Sequence, residues 1–372
     1  MSVEVRPVSG RKELKQFIFL PEQIHKNHKK WLPPIYPDEW QFYDPKKNPA
    51  FGFADTLLLL AWSEGKPVGR IMGIVNRRYN ERSGEHTARF GFLECYDDQE
   101  VASVLLGAVE AWARGLGMNR VVGPMGFSDQ DPEALMVEGF EMETCLALYH
   151  NFDFMPRLIE TAGYAKEVDY VGYIVPVPDK LPPLYERVCA RLARQHEFRL
   201  LEFPNKRVLK RYIRKVFELM NDTYEHLYGY VPLTAAEMDE FARRYLPVVD
   251  VRFVKVALKG DDVVAFIIGM PNINSGIRRA RGRLFPFGIL HILWSLRRSK
   301  KLDLFLGAIR PDCRGRGLDV LIGAAMMRSA KAAGFPIMDA HKEMETNLAV
   351  RAEMERVGGQ VKKRFRIYQK SL

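Results

Sequence analysis

Leu304-Phe305-Leu306-Gly307-Ala308-Ile309-Arg310-Pro311-Asp312-Cys313-Arg314-Gly315-Arg316-Gly317-Leu318-Asp319 joins an apolar run, a basic turn with two glycines, and the first residues of a helically spaced pattern. The spacing predicts a strand, a tight turn and a helix, in that order. Gly315 and Gly317 carry no Cβ to block a ligand from the backbone, and the free amides of a helix N-terminus attract an anion. The turn therefore reads as a phosphate-binding element.

The chain of 372 residues suits two domains of about 150 to 200 residues each. At 47% hydrophobic and 27% charged, it has the composition of a folded globular protein without a disordered tail. Met1-Ser2-Val3-Glu4-Val5-Arg6 leads into charged sequence with no apolar signal segment, so the expected location is cytoplasmic. Cys95, Cys145, Cys189 and Cys313 lie far apart with no CxxC pair, which argues against a zinc site or a secreted disulfide framework. No metal is expected. The net charge of +10 divides unevenly, as −6 over residues 1–175 and +16 over residues 176–372. A half that basic seeks phosphates, on a cofactor, a nucleic acid or an anionic lipid.

Both halves follow one plan. Thr56–Trp62 and Pro67–Val75 flank a turn at Gly65, and Arg252–Leu258 and Val263–Met270 flank a turn at Gly260; each set predicts a hairpin. A helix over Gln99–Gly117 precedes a strand over Met118–Val122, and a helix over Leu318–Gly334 precedes a strand over Pro336–Ala340. A further helix, a glycine turn and a last strand follow in each half: Asn151–Gly163 with Val168–Val175, and Asn347–Gly358 with Val361–Tyr368. A repeat of about 195 residues is too long for a solenoid, so the reading is a duplicated domain. The proline-rich stretch Pro176–Pro183 separates the copies, giving domains at 1–178 and 184–372. Each copy has an extra segment in a different place, Gly123–Tyr149 in the first and 272–301 in the second.

In the second extra segment eight cations between Arg278 and Lys301 flank the apolar stretch Leu284–Leu296, with no acid among them. A helix of that length covers about 20 Å against a hydrocarbon core of about 30 Å, too short to span it. Leu290, Leu293, Trp294 and Leu296 between Arg and Lys suit an interfacial helix on an anionic surface, or a lid over an acyl chain. A buried core helix is the plain alternative.

The order of strand, glycine turn and helix resembles the acyl-CoA site of the GCN5-related N-acetyltransferase (GNAT) superfamily, whose pattern there is Gln/Arg-x-x-Gly-x-Gly/Ala. Arg314 and Gly317 match its first and fourth positions, and Asp319 stands where the family expects a small residue. The duplicated plan resembles tandem GNAT proteins. The resemblance implies an α/β (α+β) fold of two tandem GNAT-like domains, each a mixed, mostly antiparallel central sheet flanked by helices. It also implies acyl-CoA as co-substrate, contacted by Leu306, Gly307 and Ile309, by Arg314, Gly315, Arg316, Gly317 and Leu318, and by Asn347. A backbone N–H within Leu304–Gly307 is the implied donor to the oxyanion.

An amine with a lysine-like pKa of about 10 is protonated at neutral pH, so a base must take its proton. Glu225, His341, Glu343 and Glu345 are the candidates. His341 and Glu343 occupy alternate positions of Asp339-Ala340-His341-Lys342-Glu343 and are expected to share a strand face. Each has a bland counterpart: a hydrogen-bonded core histidine, a carboxylate favouring the next helix start, a solvated helix charge. The tyrosine that the family often places four residues before the final glycine is Met354 here.

The first copy has the acidic stretch Glu94–Glu100 in place of a glycine turn and is not expected to hold CoA. Its extra segment offers Asp129, Asp131 and Glu133 either to a cationic amine or to solvent. Long-chain relatives of this architecture include N-acyl amino acid synthases and the bacterial ceramide synthase type. The resemblance and the basic, apolar insertion together point to a lipid amine such as a sphingoid base, with peripheral attachment to the inner face of the cytoplasmic membrane through 278–301. Two other readings stand beside it. A Fem-like aminoacyltransferase would hold tRNA on the basic half, although the CoA-type turn and the lack of a helical arm count against nucleic acid. A non-catalytic GNAT-derived binding protein would tolerate Asp319 and Met354.

Overall fold

The computed structural model describes residues 3–372. They form two compact units that are discontinuous in sequence, whereas the reading above divides the chain at a single linker. The first runs to Val171 and also takes in Ile273–Arg297 and Lys362–Leu372; the second comprises Gly172–Asn272 and Arg298–Val361.

In the first unit the strands Glu4–Pro7, Ala54–Ser63, Lys66–Asn76, Thr87–Cys95 and Arg120–Gly123 follow one another across the sheet. The final strand of the chain, Gln360–Ser371, comes next, with Tyr368 opposite Gly123 and Ser371 opposite Arg120. All these neighbours are antiparallel except Thr87–Cys95 with Arg120–Gly123. The helix Gln99–Gly115 begins where Asp98 caps the N–H groups of Glu100 and Val101 at 2.9 and 3.2 Å. Its apolar residues recur at helical spacing and bury Val101, Leu105, Leu106 and Val109 against Leu59, Ile71 and Phe90. The helix Gly10–Ile24 covers a second core, packing Phe17, Ile18 and Leu20 with Leu60, Met72, Ile74 and Phe92. Leu105 is fully buried, and Leu105→Ala should cost about 2–5 kcal/mol, read as a lowered denaturation midpoint with the slope unchanged.

In the second unit the order is Ile337–Met344, Lys301–Ile309, Asp262–Pro271, Val254–Lys259 and Arg199–Glu202. Again one neighbouring pair is parallel, Lys301–Ile309 with Ile337–Met344, and the others are antiparallel. The helix Leu318–Ala332 packs Leu318, Leu321 and Ile322 on Ala257, Val264 and Ala265. The helix Ile213–Tyr224 packs Val216, Leu219 and Met220 with Val256, Leu258 and Phe266. Each unit is thus a mixed, mostly antiparallel sheet flanked by helices, as expected. The two hairpins and the paired helices also fall where the spacing places them.

Candidate active site

In the second unit the parallel ladder runs from Lys301 opposite Ile337 to Leu304 opposite Ala340. Both strands continue beyond it, to Ile309 and Met344. Past Leu304 and Ala340 the pairing ends and the strands part. Leu306, Gly307 and Ile309 lie on one side of this opening, and His341 and Glu343 on the other.

The amide of Gly307 already has a partner. The helix Ile213–Tyr224 ends at Tyr224, whose hydroxyl accepts from the Gly307 N–H at 3.1 Å and donates to the Gly307 carbonyl at 2.9 Å. A substrate oxygen approaching this amide meets the phenol as well, and a tyrosine hydroxyl is itself a donor. Sequence reasoning selected the neighbouring Glu225 and passed over Tyr224. Glu225 is exposed at the helix C-terminus.

His341 sits just beyond the last ladder pair. Its Nδ1 lies 3.1 Å from Asp339 Oδ1 and its Nε2 lies 3.5 Å from Asp303 Oδ1. Asp303 and Asp339 face each other in the ladder. They are 2% and 0% exposed, and Lys301 Nζ stands 2.8 Å from Asp339 and 3.8 Å from Asp303. Asn272 donates to Asp303 at 2.8 Å. Lys342, between His341 and Glu343, is left-handed at φ +58°, a conformation that interrupts the regular strand pleat. Burial pushes the Glu343 carboxyl up to about 7, against the lowering influence of the charge on His341.

Glu345 and Asn347 are occupied by the last helix, Leu348–Arg356. Arg351 Nη1 donates to the Glu345 carbonyl at 2.9 Å, and Asn347 Oδ1 accepts from the Val350 N–H at 3.4 Å as the helix cap. Of the four candidate bases, only His341 and Glu343 lie on the strand that runs past the last ladder pair.

The glycine turn follows the 3₁₀ turn Pro311–Cys313. Gly315 and Gly317 adopt φ +71° and +92°, and Gly317 begins the helix Leu318–Ala332 with no side chain capping it. A Cβ at Gly317 would stand 2.7 Å from Val188 Cγ1. Arg314 is exposed, with its Nε donating to the Ile309 carbonyl at 3.2 Å. Arg316 instead pairs with Glu197 and lies over the Phe198 ring. Asp319 lies close to Glu353 and Tyr185, where burial first and then its negative charge raise the Glu353 carboxyl.

The corresponding places in the first unit are filled. Past Arg89 opposite Val122, the Met125 N–H donates to the Phe90 carbonyl at 2.8 Å, and a Cβ on Gly91 would stand 2.5 Å from the Met125 oxygen. Arg89 donates to the Phe127 carbonyl at 2.8 Å. The helix start that Gly317 leaves uncapped in the second unit is capped here by Asp98. Glu133 is fully buried. The Asp131 carboxyl is pushed up to about 6, by burial first, and accepts from the Ser128 N–H at 3.2 Å. Neither acid is a solvated loop charge.

The basic, apolar insertion forms two helices, Asn274–Ala280 and Gly288–Arg298. Its cations are not all free to meet a surface. Arg283 pairs with Glu22 at 2.9 Å, Arg278 pairs with Glu143, and Lys301 serves Asp339. The apolar face is open: Phe285 and Phe287 are 88% and 66% exposed, and Ile289, Leu290 and Leu293 are about half exposed. Arg279 lies 4.7 Å over the Trp294 ring, and Leu296 is half-buried. Among the described residues, no helix is long and apolar enough to cross a membrane.

A tandem GNAT protein from the clavulanic acid biosynthesis pathway aligns over 100% of this chain and 98% of its own, with a TM-score of 0.55 at 13% identity. A GCN5-related N-acetyltransferase from Sphaerobacter thermophilus aligns over 99% and 95%, with a TM-score of 0.53 at 14% identity. The chain therefore has the tandem GNAT fold. No family model matches it. It is 29% identical to the bacterial ceramide synthase of Caulobacter vibrioides, over 100% of this chain and 98% of that one. It is 26% identical to Protein YghO of Escherichia coli, over 99% and 95%. Fold and full-length relatives together support the acyltransferase class.

Proposed function

We propose that this chain is an acyl-CoA-dependent N-acyltransferase that transfers a fatty acyl group to a lipid amine of the sphingoid-base kind. The observation that carries the reading is the parted strand pair of the second unit, with Glu343 beside it and an uncapped glycine-turn helix following it. The likeness to a ceramide synthase supports the choice of amine. Acyl-CoA lies with its pyrophosphate on the turn Arg314–Gly317 and its thioester near Gly307. Glu343 takes a proton from the ammonium, and the free amine attacks the thioester carbon. The oxyanion displaces the Tyr224 hydroxyl from the Gly307 N–H, and the Tyr224 O–H turns from the Gly307 carbonyl to the same oxygen. Collapse forms the amide and expels CoA thiolate, whose cysteine-like pKa of about 8.5 makes it a fair leaving group without a dedicated acid. The first unit, with its opening filled and its helix start capped, holds no CoA, so one acyl-CoA binds per chain.

The test is product formation from palmitoyl-CoA and sphinganine, followed by mass spectrometry with thiol release measured in parallel. Equal yields of N-palmitoyl amide and free CoA are expected. Thiol release without amide, or amide formed only from a soluble amino acid or sugar, would overturn the choice of substrate.

The exposed face of Phe285, Phe287, Leu290 and Leu293, with Arg279, Arg281 and Arg297 on the same segment, docks on the anionic inner face of the membrane. Vesicles containing phosphatidylglycerol should carry the protein upward in flotation. Replacing the four apolar residues with Ser should lower the bound fraction more than about tenfold, since each buried side chain contributes about 1.5–3 kcal/mol. Equal flotation of the two proteins would contradict the docking.

A further inference from the structure

Beyond the helix Ile213–Tyr224 the chain runs out through Glu225 and His226, which are exposed, and returns to the interior at Tyr230, which is 2% exposed. Asn221, one helical turn before Tyr224, clamps the returning segment. Its Oδ1 accepts from the Leu233 N–H at 3.0 Å and from the Tyr230 hydroxyl at 2.6 Å, and its Nδ2 donates to the Leu233 carbonyl at 2.8 Å. A backbone N–H only donates and a carbonyl only accepts, so one orientation of the amide satisfies both, and both lone pairs of its oxygen are engaged. The Tyr230 ring, held at its hydroxyl, meets the Tyr224 ring edge to face, with centroids 5.7 Å apart. Tyr224 in turn bonds both backbone groups of Gly307. Contact is therefore unbroken from Asn221 through two rings to the opening between the strands. Ending the helix does not require the clamp, because the Tyr224 carbonyl already accepts from the Leu227 N–H at 2.8 Å.

We infer that Asn221 is a positioning residue for the oxyanion donor Tyr224, acting through the Tyr230 ring. This rests on the reading of Tyr224 as that donor. The reading asks the phenol to release Gly307 and turn its O–H to a substrate oxygen beside it, while the ring stays where it is. Helix ends fray, and Tyr224 is the last residue of its helix. Once its hydroxyl has let go of Gly307, the ring keeps its place by packing. One contact is with the core beneath the helix, and another is with the ring that Asn221 fixes. A catalytic group displaced by about 1 Å can lose about 100-fold in rate, so the clamp bears on turnover more than on acyl-CoA binding.

A double-mutant cycle on the full-length protein tests the inference, read as the saturating single-turnover rate of amide formation from palmitoyl-CoA and sphinganine. Tyr224→Phe removes the donor and should lower the rate about 10²–10³-fold. Asn221→Ala should lower it by about 10–100-fold with palmitoyl-CoA affinity unchanged. Adding Asn221→Ala to Tyr224→Phe should then cost nothing further, since there is no hydroxyl left to position. Losses that multiply in the double variant, or rate and affinity falling together in Asn221→Ala, would overturn the inference and leave Asn221 a support for the loop alone. Asn221→Ala turning over at the parent rate would overturn it too. Tyr230→Phe keeps every ring and loses only the bond to Asn221, so the same cycle run with it decides the matter if Asn221→Ala does not fold; its loss should be smaller and should likewise vanish in Tyr224→Phe. Full activity in Tyr224→Phe would instead refute the oxyanion reading, whatever the Asn221 variants do.

Discussion

Glu343→Gln lowers the rate of amide formation at pH 7 by about 10²–10⁴-fold, the usual contribution of a general base, and leaves acyl-CoA binding intact. Gln keeps the volume and hydrogen-bonding reach of Glu but accepts no proton. Burial brings the Glu343 carboxyl up to about 7, close to the operating pH, where proton acceptance and availability are best balanced. Because the group works as the carboxylate, activity is low where it is protonated, rises through pH 7 and levels off above it. Glu343→Asp should keep the shape of this profile at a lower plateau, while the Gln variant loses the limb. The same raised carboxyl works against folding at high pH: the folded state holds the proton more tightly, so this contribution is complete below about 4.5 and disappears as pH rises through about 7. Glu225→Gln, at an exposed helix end, should change the rate little.

Gly317→Ala lowers palmitoyl-CoA affinity by about tenfold or more. Alanine at φ +92° enters a left-handed region that costs about 1–2 kcal/mol for a residue with Cβ, and 1.4 kcal/mol is a factor of ten. The new Cβ also meets Val188 Cγ1 at 2.7 Å, so the turn must shift away from the geometry that points its amides at the anion. Gly315→Ala has the backbone penalty at φ +71° with nothing within 4 Å of the added carbon, and its effect should be smaller. Calorimetric titration with palmitoyl-CoA ranks the two; Gly317→Ala binding as tightly as the parent would remove the pyrophosphate from this turn. Asp319 lies by Glu353 and Tyr185, and Asp319→Asn should tighten binding slightly or leave it unchanged.

Local patterns made the fold legible. Alternating apolar residues on either side of Gly65 and Gly260 specify hairpins wherever the chain folds, and the helix Gln99–Gly115 declares its buried face at every turn. The final strand was harder to place, since its sequence follows the second copy while its partners are Arg120–Gly123 and Leu135–Glu138 of the first unit. Nothing within Val361–Tyr368 encodes that choice.

Of the proposed site, a single stretch encodes the turn Arg314–Gly317, and another brings His341 and Glu343 close in sequence. The site was not legible where strand pairing builds it. Asp303 and Asp339 are 36 residues apart and become a pair only through the ladder register. Tyr224 reaches Gly307 only because the end of its helix meets that strand. Lys342 carries no sequence mark of its left-handed backbone. Arg278 and Arg283 read as surface cations in a run without acids, and the partners that engage them, Glu143 and Glu22, lie more than 100 residues away.

The central claim, one acyl-CoA site per chain at the second unit's parted strands and glycine turn, is tested most directly by calorimetric titration of the full-length protein with palmitoyl-CoA. The account predicts one equivalent bound, with the same titration strongly weakened in Gly317→Ala. Two equivalents, or no binding of palmitoyl-CoA or acetyl-CoA at all, would contradict it.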